Sequence, residues 1–176
     1  MVKMATQFRR LMTAKADKQL PKDELWGRIV TLLKGQTMCT LCTCLNDVPR
    51  ATPLEYYLHD ASLYMVGHKG VKLENIRQNP GVSIGVYNHV HPRWGDGGNW
   101  LGVIGAQITG TARLVPDDVP EFFEAYKRFA SPTSTPANPG EKPRGRIMIV
   151  TDMERVEYND IALKLEGYAS KQVWRA

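Results

Sequence analysis

Two lysines stand where a short helix should begin. In YMVGHKGVKLENIRQNPGVSIGVYN, residues 64–88, Lys69 and Lys72 bracket Gly70 between a strand-like run and a helical one. A helix N-terminus carries free amides and partial positive charge, so acidic residues usually settle there. Cations at that end are mildly unfavourable unless an anion binds. An oxyanion facing the amides of about residues 70–72 would also take charge-assisted contacts from Lys69 and Lys72. Arg50, at the opening of an earlier strand, is a candidate third cation. Such a corner suits a phosphate dianion. The competing reading is that the lysines are solvated, snorkelling groups, and composition alone favours it. Gly67 and Gly70 weigh the other way, because glycine lets a ligand approach the backbone. The chain has no P-loop and no GxGxxG opening a helix, so it is not a nucleotide fold of those types.

Other reactive residues give less. Cys39, Cys42 and Cys44 are the only three cysteines, all within TMCTLCTCLN. An odd, tightly clustered set is not a disulfide framework. On a strand, Cys42 and Cys44 share one face and Cys39 takes the other. They read as small buried residues rather than as metal ligands. His68 is the best-placed titratable group, at the turn beside the two lysines. His89 and His91 share a face, but no third ligand accompanies them. No side chain stands out as an obligatory acid or base, so the catalytic residues stay unassigned and no metal is expected.

The elements that position these groups follow from periodicity. The chain has 176 residues, 43% hydrophobic and 23% charged, which fits one globular domain with a real core. Residues 1–20 form an N-terminal helical arm, 21–159 the domain proper, and 160–176 a C-terminal tail. Pro21 suits a first helical position, Gly35 a C-terminal cap, and the residues between them carry one apolar face. Residues 37–45, 50–58 and 62–67 read as strands, about 70–78 as a helix with Leu73 and Ile76 inward, and 82–88 as a fourth strand. Pro53 marks an edge or bulge. From Trp100 to Leu114 the even positions are apolar or small, while Gln107, Thr109, Thr111 and Arg113 fall on the odd face. A helix over about 118–130 takes Asp117 or Asp118 as N-cap. A polar loop spans 131–145, and RIMIVT and RVEY complete the sheet. The tail opens helically, breaks at Gly167 and leaves Trp174 isolated. Short turns between strands favour antiparallel pairing, and about seven strands with one apolar face close into a small barrel. The fold class is therefore mainly β with flanking helices, a split antiparallel β-barrel.

The net charge of +5 is dispersed, so no nucleic-acid surface is expected. No apolar run is long enough for a bilayer span, and the N-terminus lacks a secretory pattern. The expected location is cytoplasmic, with no membrane association.

With the elements in order, the stretch from GRIVTLLKG through RATPLEYYL to NPGVSIGVY, backed by GAQITGTARLV and RIMIVTDMERVEY, resembles the pyridoxamine 5′-phosphate oxidase-like family of FMN-binding split barrels. The resemblance covers about residues 24–158, and its most specific piece is the Lys-x-x-x-Ile-x-x-Asn-Pro-x-Val-Ser frame from Lys72 to Ser83. It implies a homodimer with FMN at the subunit interface. It implies that Arg50 reaches the phosphate and that Thr52, Pro53 and Leu54 line the flavin. Met65, Val66, Gly67 and His68 would run along the ring and ribityl chain. The family's Arg-Lys phosphate pair falls on Val71 and Lys72, with Lys69 supplying the missing charge. A family glutamine falls nearest Gly105, and Gln107 on the same face is its substitute.

The resemblance also has limits. A lysine of the true oxidase is Glu55 here, and the oxidase's arginine-bearing C-terminal motif is missing from GYASKQVWRA. Pyridoxamine phosphate is therefore not the expected substrate, although Trp174 and Arg175 are candidates to reach a partner's cleft. The implied function is an FMN-dependent oxidoreductase acting on a small molecule. The alternatives are a non-enzymatic flavin-binding carrier or sensor, or a deazaflavin- or haem-binding relative on the same barrel.

Overall fold

The computed structural model describes residue 13 and residues 15–88, 102–129 and 145–176. Most of the N-terminal arm, the histidines at 89 and 91, Trp100 and nearly all of the 131–145 loop lie outside the described residues.

Helix α1 (Lys22–Lys34) leads to β1 (Met38–Leu45), β2 (Val48–His59) and β3 (Ser62–His68). Helix α2 (Val71–Gln78), β4 (Gly81–Tyr87), β5 (Ile104–Pro116) and α3 (Pro120–Tyr126) follow. Strand β6 (Arg146–Asp160), a 3₁₀ helix (Ile161–Glu166) and β7 (Lys171–Arg175) complete the chain. The sheet order is β3-β2-β1-β4-β5-β6-β7, and β3 also pairs with β6. Six antiparallel strands therefore close into a barrel, with β7 added outside the ring.

Local chemistry explains the turns. Asn46 and Asp47 take φ of 51° and 62°, the left-handed pair that a two-residue hairpin between twisted strands requires. Inside, Leu41, Ile84, Ile108 and Val156 stand opposite one another across β1, β4, β5 and β6, and all four are fully buried. The alternation read in β5 holds: Ala106, Ile108 and Ala112 are buried, and Gln107, Thr109, Thr111 and Arg113 are exposed. Outside the barrel, α3 covers a second apolar cluster of Val115, Phe122, Ala125, Met148 and Val150.

Four sequence expectations change. RIMIVT and RVEY are one continuous strand, β6, whose first half closes the barrel on β3 and whose second half carries β7. The register slips between Thr109 and Gly110, and this bulge lets one long strand serve both partners. Helix α3 is shorter than 118–130 and starts at Pro120, so Val119 rather than an aspartate is its N-cap. Asp117 instead accepts from the amides of Gly145 (2.6 Å) and Arg146 (3.3 Å), tying down the start of β6. Pro21 is the N-cap of α1 rather than its first residue. Trp174 is not isolated: it is buried on β7 and stacked on Trp26 at 4.5 Å.

Candidate functional site

The barrel wall has a gap. The β2–β3 ladder runs only from His59↔Ser62 to Tyr56↔Met65. Beyond that point β2 stays bonded to β1 as far as Val48, and β3 stays bonded to β6 as far as His68. Residues 48–55 and 66–68 thus diverge, and one edge of β2 is left without a strand partner. Backbone groups on such an edge are ready to bond something else.

Helix α2 starts at the same end. Asn75, buried, donates to Thr43 Oγ1 at 3.0 Å, and Thr43 stands directly opposite Arg50 in the β1–β2 ladder. Asn79 donates to the Cys44 carbonyl at 2.9 Å. These contacts, with Leu73 and Ile76 in the core, fix the helix against β1 and β5. Its N-cap is Gly70 at φ 150°, a conformation side chains rarely adopt, and no side chain caps the helix. The space around Gly70 is open.

The charges at this corner are unmatched. Arg50 and Lys69 are exposed and make no hydrogen bond or ion pair among the described residues. Lys72 folds back to donate to the His68 carbonyl at 3.2 Å. Thr52, on the open strand, has a buried hydroxyl with no partner. A buried hydroxyl left unsatisfied costs stability, so a ligand that bonds it would recover that loss. An uncapped helix, free cations and an orphaned hydroxyl on one gap fit a phosphorylated cofactor lying along β2.

The remaining expected residues divide. Leu54 is half-buried against the core, and Pro53 points outward opposite Thr40. Met65 is fully buried, its sulfur 3.7 Å from the Cys39 thiol, so its side chain belongs to the core. Burial pushes that thiol up to about 12. Val66 packs toward the cluster under α3. Gly67 is small for packing rather than for ligand approach: a Cβ there would lie 3.2 Å from Ile149 Cδ1 and 3.3 Å from Leu73 Cδ2. Gly105 and Gln107 sit on the outer face of β5, opposite Tyr87 and Gly85. Three strand spacings separate β5 from β2, roughly 14 Å, so one chain does not bring them to the gap.

One residue at the gap escaped the sequence reading. Arg146 stands directly opposite His68 in the β3–β6 ladder, its guanidinium 5.8 Å from the centre of the Tyr126 ring. Nothing local could reveal it, because the pairing joins distant parts of the chain. Among the described residues, no three His, Cys, Asp or Glu side chains are grouped to hold a metal. No helix among them is long and apolar enough to cross a membrane.

A sequence model of the pyridoxamine 5′-phosphate oxidase family matches residues 25–160, most of the chain. No curated protein matches in sequence. Among solved structures, general stress protein 26 from Bacillus anthracis superposes with a TM-score of 0.60 at 18% identity, covering 87% of this chain and 99% of that one. An FAD-binding protein from Mesorhizobium loti gives 0.58 at 23% identity, covering 79% and 94%. A heme-binding protein from Mycobacterium smegmatis gives 0.59 at 17% identity, covering 83% of this chain and 55% of that one. At these identities the likeness is one of fold.

Proposed function

The chain belongs to the pyridoxamine 5′-phosphate oxidase family, and from that premise we propose that it binds FMN in the gap between β2 and β3 and acts as a flavin-dependent oxidoreductase on a small molecule. One observation carries the reading. The uncapped start of α2, with Lys72 and the unpartnered Arg50 and Lys69, stands at the same end of the barrel as the unpaired edge of β2, whose Thr52 hydroxyl is orphaned. The fold shared with an FAD-binding protein supports a flavin as the ligand class.

When bound, FMN would supply two-electron redox chemistry, and the protein would supply binding, orientation and electrostatics. The amides of α2 and the cations Arg50, Lys69 and Lys72 would hold the phosphate dianion. Thr52 would donate or accept along the ribityl or ring edge. The backbone of residues 50–54 would bond the polar edge of the ring in place of the missing strand. His68 and Arg146 stand at the outer lip, where a substrate would approach.

The second half of the reading concerns assembly. Gly105 and Gln107 cannot join Arg50 within one chain, so they contribute only if a second copy lays its β5 face over the gap. A homodimer with the cofactor between subunits meets that requirement. Pyridoxamine phosphate is not the substrate we propose, because Glu55 places a carboxylate on the exposed outer face where the true oxidase has a lysine.

The test begins with the visible absorption of the purified protein and the identity of whatever heat releases. Released FMN supports the proposal. A haem or deazaflavin spectrum would overturn the cofactor and retain the barrel. Comparing FMN with riboflavin then isolates the phosphate corner. Loss of the phosphate should weaken binding by about tenfold or more, the scale of charge-assisted contacts. Equal affinities would remove α2 from the site.

A further inference from the structure

A second concavity lies away from the gap. It is a pocket of about 650 Å³ between α1, the β2–β3 turn, the end of β7 and the turn after α3. That volume is ample for a small organic ligand. Its apolar wall comes from Trp26, Trp174 and Leu58, with the two indoles stacked on each other. Its polar rim carries Lys34, Arg128 and His59. Leu58 lies six residues along β2 from Thr52, roughly 20 Å at strand rise, so the pocket and the gap are separate.

The charges of this rim are arranged for an anion. Lys34 has no hydrogen-bond or ion-pair partner among the described residues. Arg128 Nη1 lies 3.2 Å from His59 Nδ1. Arginine can only donate, so Nδ1 is the acceptor and the imidazole proton sits on Nε2. Nε2 lies 3.8 Å from the carboxylate of Asp60, whose side chain is 90% exposed and is the one acid on the rim. Arg128 thus meets a ring nitrogen and the face of Tyr57 but no carboxylate among the described residues. Arg28, by contrast, bonds Glu24 and Glu166, and Arg113 bonds Glu121.

We propose that this pocket is a second ligand site, independent of the flavin gap, that takes a small aromatic carboxylate. The ring would lie against Trp26, Leu58 and Trp174, and the carboxylate would face Lys34 and Arg128. A planar ring suits the flat indole wall, and the two cations without acids supply what a carboxylate needs once desolvated.

The experiment is calorimetric titration of the full-length protein with naphthoate, before and after saturation with FMN, with neutral naphthamide as control. Saturable naphthoate binding is expected, with naphthamide weaker by about tenfold or more. Lys34→Ala and Arg128→Ala should each weaken naphthoate by a similar factor and leave the melting temperature and FMN affinity unchanged. The proposal falls if naphthoate does not bind saturably, or if naphthamide binds equally well. It falls too if both variants bind as the parent does. Competition between naphthoate and FMN would place the ligand in the flavin gap and also overturn it. Failure of FMN to bind, with naphthoate binding intact, would sink the flavin reading and leave this one standing.

Discussion

Two helix starts in this chain are treated in opposite ways. The 3₁₀ helix after β6 is capped: the Asp160 carboxylate accepts from the Ala162 amide at 2.9 Å, and the helix ends on a left-handed Gly167. Its surroundings are neutralised too, with Glu166 bonding Arg28 at 2.7 Å. Helix α2 starts on a glycine with no side-chain cap, and its first turn carries Lys72 as well as Glu74. Both helices are anchored by buried leucines, so the difference is not one of packing. At the 3₁₀ helix a side chain satisfies a leading amide, and a neighbouring arginine is paired. At the gap the molecule leaves donors and positive charge without partners, which is what the proposed phosphate site requires.

This contrast can be broken by substitutions. The largest effect belongs to the structural half. A Cβ on Gly110 would lie 2.1 Å from the Asp152 carbonyl oxygen, across the bulge that keeps β5 and β6 in register. Gly110→Ala should cost about 3 kcal/mol, the upper range of overpacking, measured by chemical denaturation without any ligand. Next comes the gap. Lys72→Ala should weaken FMN binding by about 1–3 kcal/mol in a direct titration while leaving stability nearly unchanged. If it lowers stability instead, Lys72 is a structural residue and the contrast collapses.

Two smaller effects sharpen it. Asp160→Ala should destabilise by about 1–2 kcal/mol through loss of the cap, and Asp160→Asn should recover most of that by keeping an acceptor. Thr52→Val removes a hydroxyl that has no partner in the ligand-free chain. It should leave the melting temperature unchanged or slightly raised, yet weaken flavin binding by about 1 kcal/mol. A lower melting temperature with unaltered flavin affinity would mean that the hydroxyl serves the fold.

The barrel itself was largely legible. Strict alternation located β5 and its inward residues, and the parity of β1 separated Cys39 from Cys42 and Cys44; only Cys39 is buried, while the other two are half-buried. The turn before β2 is tighter than the expected start at residue 50 implies, because the strand begins at Val48 directly after Asn46-Asp47. What stayed hidden depends on partners distant in sequence. Nothing in KQVWR reveals that it pairs with β6, and DMER looks like a break until the bulge at Gly110 absorbs it. The preference for a proline at the first helical position outweighed the aspartates before α3. Of the expected site, Arg50, Thr52, Lys69 and Lys72 share one end of the barrel. Gly105 and Gln107 are separated from them because registry across several strands cannot be read from one.

The closing seam of the barrel bears on how the molecule forms. The hairpin of β1 and β2 joins neighbouring residues, but β3 meets β6 through positions such as Ser62 and Asp152, whose side chains bond across 90 residues of sequence. Pairings so far apart along the chain bear the greatest loop-closure entropy and form slowly. Strand β3 is one lip of the gap, so that lip is fixed only when this late pairing is made. A ligand bridging β2 and β3 would therefore meet a finished site only after that pairing, and would act on the unfolding rate more than on the folding rate.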